Sequence, residues 1–77
     1  MQAHSLSDRI TADPAICGGR PTITGTRMRV ADILEMLASG AERAQILSDY
    51  DYLTDEDISA ALSYAADAID HQVIRAA

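Results

Sequence analysis

Two hydrophobic rhythms divide the chain near Val30. Before it, apolar and polar residues tend to alternate. Residues 8–13 (DRITAD) read as a short strand with Ile10 inward, ended by the turn signal Asp13-Pro14. Gly18-Gly19 breaks the chain again. TIT and RMRV then flank Gly25, which predicts a small β-hairpin or arm with Ile23 inward on one strand and Met28 and Val30 on the other. Strand alternation places Arg27 and Arg29 together on the opposite face. His4 falls in an end expected to fray.

From Val30 the spacing lengthens to i, i+3, i+4, i+7. Val30, Ile33, Leu34 and Leu37 mark one helix face, and Ser39-Gly40 supplies a glycine suited to a left-handed terminal residue. A second, short helix is predicted from about Glu42 to Asp49, burying Ile46 and Leu47 beside Tyr50. The third helix has the clearest start. Thr54 is placed as its N-cap, Asp55, Glu56 and Asp57 suit the positive helix end, and Leu53 can staple against Ile58. Its expected buried stripe is Ile58, Leu62, Ala65, Ala66, Ile69 and Val73, with Val73 and Ile74 carrying the apolar face outward towards another chain. The predicted fold is mainly α: one domain over residues 1–77, with a short N-terminal β arm or hairpin over 8–30 and a trihelical, helix-turn-helix-like core over 30–77.

Composition changes this picture in one respect. The chain has 77 residues, three Tyr, and neither Phe nor Trp. Its core must be aliphatic, and a core that small often needs a second chain, so a homodimer or a partner protein is expected. Hydrophobic residues make up 48% of the sequence, too many for general disorder. The first residues lack the basic start and apolar run of a signal peptide, and no apolar stretch reaches membrane-spanning length. The expected location is cytoplasmic, with no membrane contact.

Charge is unevenly spread. Residues 1–30 carry four arginines against two aspartates, a net +2, whereas residues 31–77 carry two arginines against ten acids, a net −8. The whole chain, at −6, repels phosphate. Only its first third is suited to meeting nucleic acid. There Arg20, Arg27 and Arg29 are candidate contacts, since guanidinium forks fit phosphates and carboxylates alike. The alternative is that they pair with the protein's own surplus acids. Helix three, in the position of a recognition helix, opens Thr-Asp-Glu-Asp, a sequence better suited to capping than to reading base edges.

Catalytic and metal chemistry find little support. Asp49-x-Asp51 lacks the glycine and terminal glutamate of a calcium loop, and a single cysteine cannot form a disulfide or a four-ligand zinc site within the chain. Cys17 has no histidine near it in sequence and reads as a packed or incidental thiol. GGRP lacks the Lys-Ser/Thr ending of a phosphate-binding loop. No nucleophile, base and orienting group converge at readable spacing. The expectation is a non-enzyme without cofactor, metal or small-molecule substrate.

One segment is distinctive. Asp13-Pro14, Ile16-Cys17, Gly18-Gly19-Arg20-Pro21, Ile23, Gly25-Thr26-Arg27 and Val30 resemble the small bacterial proteins of domain of unknown function 433. The resemblance continues through Gly40, Ile46-Leu47, Asp49-Tyr50, Leu53-Thr54, Asp57-Ile58 and Ala60-Ala61-Leu62 to Tyr64-Ala65, covering roughly residues 8–68. It departs at Asp51, where the family usually has proline. The resemblance implies a homeodomain-like helix-turn-helix fold. It also implies an antitoxin resembling the antitoxin half of the VapBC class, which binds and silences a PIN-like ribonuclease toxin and represses its own operon as a complex. Under that reading Asp49, Asp51, Asp55, Glu56 and Asp57, the densest acidic patch, face the toxin's basic RNA groove; otherwise they form a solvated rim. Two other readings stay open: a stand-alone DNA-binding regulator using the arginine arm, and a structural homodimer with no ligand.

Overall fold

Ile10 has no exposed surface, and its position explains why the arm and the helices share one core. The computed structural model describes residues 4–73, with side chains from His4 to Asp70. Strands β1 (His4–Ser5), β2 (Ile10–Ala12) and β3 (Pro21–Ile23) form an antiparallel sheet in that order. His4 pairs with Ala12, and Ile10 pairs with Ile23. The expected fraying at His4 is therefore corrected: Leu6 and Ser7 both donate to the Ile10 carbonyl and fold the N-terminal segment back onto β2.

Between β2 and β3 the chain turns twice. The Asp13 side chain accepts from Ala15 N–H at 2.9 Å, and the Asp13 carbonyl accepts from Ile16 N–H at 2.8 Å. A 3₁₀ turn at Cys17–Gly19 follows, with φ of 51° at Cys17, 66° at Gly18 and 84° at Gly19. Three successive left-handed residues are accessible at low cost only where glycine dominates.

The hairpin around Gly25 is shorter than predicted. Thr26 holds it, donating from its hydroxyl to the Ile23 carbonyl and accepting from Met28 N–H. RMRV is not a strand: a single bridge joins Thr22 to Arg29, because helix α1 (Val30–Ala38) already begins at the next residue. Ile23, Met28 and Val30 still point inward as predicted.

The three helices follow the expected order. Helix α1 ends in a Schellman arrangement, with Gly40 N–H donating to Leu37, Ala41 N–H to Met36, and Gly40 at φ 98°. Helices α2 (Arg43–Asp49) and α3 (Asp55–Val73) complete the core. Thr54 and Asp57 cap α3 reciprocally: Asp57 N–H donates to Thr54 Oγ1 at 3.2 Å, and Thr54 N–H to Asp57 Oδ2 at 3.0 Å. Leu53 and Ile58 are both buried, as a hydrophobic staple requires. The turn before α3 closes through Leu53 N–H to the Tyr50 carbonyl, spanning Asp51 and Tyr52.

Ile10, Ile33, Ile46 and Ile58 are the largest fully buried side chains. Each contributes roughly 1.5–3 kcal/mol of transfer free energy. The expected stripe on α3 is rotated. Ile58 and Ala61 are buried, but Leu62 is 40% exposed and Ile69 62% exposed. Helix α1 and the sheet cover the side of α3 that carries Asp57, Ile58 and Ala61, which leaves the adjacent apolar side open. The Val73 side chain and Ile74 lie outside the described residues.

Candidate interaction surfaces

The three candidate arginines do not form one cationic face. Arg29 sits at the start of α1 and grips Asp32, one turn on, with both ends of its fork: Nε to Oδ2 at 3.1 Å and an NH2 contact to Oδ1 at 2.7 Å. That hydrogen-bonded pairing holds the Asp32 carboxyl below its ordinary range and raises the Arg29 guanidinium further. For Arg29 the alternative of pairing with the protein's own acids is what the structure contains. Arg20 and Arg27 are exposed and make no ion pair among the described residues.

Arg20 and Arg29 border a groove of about 300 Å³ floored by α1 and α3, including Leu34, Ala65 and Ile69. Arg27 borders a second, more open groove of about 830 Å³ with Glu35, Met36, Tyr50 and Tyr52. Strand alternation placed Arg27 and Arg29 together, yet they border different grooves, because the strand it assumed is reduced to one bridge.

The acidic patch divides in the same way. Asp57 is not part of an exposed surface: it is 5% exposed, capping α3 and accepting from Arg9 at 3.0 Å. Asp55 is exposed but held by Arg43, whose Nε donates to Oδ1 at 2.8 Å while its NH2 group reaches the Asp55 carbonyl and Ser59 Oγ. This pairing lowers the Asp55 carboxyl. Asp49, Asp51 and Glu56 remain exposed, without an ion pair among the described residues.

Sequence reading set Tyr50 beside the core but missed its contact with Tyr52. Tyr50 and Tyr52 stack edge to face, with centroids 6.2 Å apart and planes at 78°, and Tyr52 is 54% exposed. The signal was the alternation Asp-Tyr-Asp-Tyr over residues 49–52, which brings two of the chain's three aromatics to one turn. Arg9 and Arg43 were also missed, because their acidic partners are distant in sequence. Cys17 is half-buried, its Sγ 3.4 Å from the Arg27 carbonyl. Among the described residues no group of three His, Cys, Asp or Glu side chains gathers as a metal site would need. No helix among them is long and apolar enough to cross a membrane.

These features define a small three-helix domain fronted by a three-stranded antiparallel sheet, with exposed arginines on the arm and exposed acids around the α2–α3 turn. Residues 10–65 match the family model for DUF433, described as a protein of unknown function, and the chain belongs to that family. A crystal structure of a DUF433 member protein from Anabaena variabilis ATCC 29413 is similar to it. The two share 33% sequence identity with a TM-score of 0.74, over 90% of this chain and 71% of the other. No curated protein matches the chain.

Proposed function

We propose that this protein is the non-enzymatic antitoxin of a type II toxin–antitoxin pair, neutralising a PIN-like ribonuclease. The observation that carries the reading is the cluster at the α2–α3 turn: Asp49, Asp51 and Glu56, exposed and without an ion pair among the described residues, beside the exposed ring of Tyr52. A ribonuclease needs a basic groove for RNA. Free carboxylates steer towards such a groove and oppose its charges, while a tyrosine supplies contact area at low entropic cost. Exposed Asp55, through Arg43, and buried Asp57 support this surface by fixing the start of α3. Inhibition is then steric and electrostatic.

The test is co-expression with the products of the flanking genes. A basic ribonuclease should co-purify, its capture weakening as salt rises, and a D49N/D51N/E56Q variant should bind at least about tenfold more weakly. Failure to capture any flanking product at low salt overturns the reading.

A second reading, DNA binding by the arm, draws on Arg20 and Arg27, exposed and without an ion pair among the described residues. Two phosphate contacts per chain give a salt slope of only about −2, so any operator binding is weak unless the complex adds charge. A gel shift of the operon promoter that disappears in R20A/R27A supports autoregulation; no shift with or without the toxin removes it.

A further inference from the structure

We propose that the open side of α3 and the groove beside it are a homodimer interface, occupied by the same face of a second copy of this chain. Leu62, Ala65, Ala66 and Ile69 recur at the three- and four-residue spacing of a packed helix face, yet Leu62 and Ile69 are among the large hydrophobics the fold leaves exposed. The stripe continues into the groove of about 300 Å³, where Ala31 and Leu34 of α1 meet Ala65, Ala68 and Ile69. The alanines keep the surface low enough for another helix to approach closely.

Charge at the two edges identifies the occupant. Consecutive helical residues lie 100° apart, so Ala68 and Asp70 fall on opposite sides of Ile69. The Ala68 side is bordered by Arg20 and Arg29. The other side carries Asp70, exposed and without an ion pair among the described residues. The apolar strip thus has a cationic edge and an anionic one. A two-fold axis running along α3 sets the cationic edge of one protomer against the anionic edge of its partner, and does so twice. A second copy satisfies both edges at once. Among the described residues Arg20 is the cation of its edge without an ion pair, because Arg29 is held by Asp32. The inference uses none of Asp49, Asp51 and Glu56, so it stands or falls separately from toxin binding.

Sedimentation equilibrium of the full chain, from low to high micromolar concentration, is the test. The wild-type chain should reach the mass of two chains. I69E should weaken association by at least about tenfold while keeping its far-UV helical signal, since residue 69 lies outside the core. R20E and D70R should each weaken the dimer. The double variant R20E/D70R, which exchanges the two edge charges, should restore it towards wild type. A wild-type chain of single mass at the highest concentration overturns the proposal, as does an I69E dimer of unchanged strength. Failure of the double variant to recover overturns the two-fold along α3.

Discussion

Asp57 joins two demands on one buried carboxylate. Oδ2 accepts from the Thr54 backbone at the start of α3, and Oδ1 accepts from Arg9. Arg9 is 46% exposed on its side chain, so the ion pair alone is worth less than about 1 kcal/mol. Removing the carboxylate takes the cap as well, a combined loss of about 2–3 kcal/mol. D57A should therefore lower the urea midpoint much more than R9A, with no change in m-value; equal effects would assign the stabilisation to the ion pair instead. Asp32 and Asp55 link stability to pH. Both carboxyls are lowered, first by hydrogen bonds from Arg29 and Arg43 respectively. Their contribution is complete above the unfolded aspartate value of about 3.9 and is lost as pH falls through the lower folded value. Both pairs are largely solvated, so the effect is modest. R29M and R43M should each flatten the acid limb of the stability curve, and an unchanged limb would show that the pairs do not persist in solution.

Element boundaries rest on a few positions with special geometry. Gly40 ends α1 at φ 98°, and a Cβ built there meets nothing within 4 Å. The cost of G40A is thus torsional, about 1 kcal/mol, and should appear as a lowered melting temperature with unchanged helical content. This boundary, the Thr54 cap and the Leu53–Ile58 staple were legible in the sequence because each is local chemistry. The second hairpin strand was not. Alternation in Arg27–Val30 suits a strand, but Val30 also begins the helical spacing, and the helix takes it. On α3 the apolar residues were identified, but their covering was not. Periodicity selects a face wide enough to hold Ile58, Leu62 and Ile69 together, and only the placement of α1 and the sheet decides which of them a single chain buries.

At the scale of the whole molecule, the division of charge between arm and helices was visible in residue counts, but the use of each charge was not. Arg9 and Arg43 neutralise Asp57 and Asp55 across 48 and 12 positions of sequence, pairings no local motif announces. Among the described residues the exposed charges outside any ion pair include Arg20 and Arg27 on the arm, Asp49, Asp51 and Glu56 around one turn, Asp70 beside the open stripe of α3, and the scattered acids Asp8, Glu35, Glu42 and Asp67.

The Arg9–Asp57 link also bears on how quickly the chain reaches and leaves its native state. Closing a loop of 48 residues carries a length-dependent entropy of roughly 3 kcal/mol, so this contact is expected to form after the helices have nucleated against one another. Contacts made after the rate-limiting barrier hold the native basin shut without hastening entry to it. R9A should steepen neither chevron arm. It should raise the unfolding rate and leave the refolding rate near wild type, whereas slowed refolding would place the docking of the arm at the barrier itself.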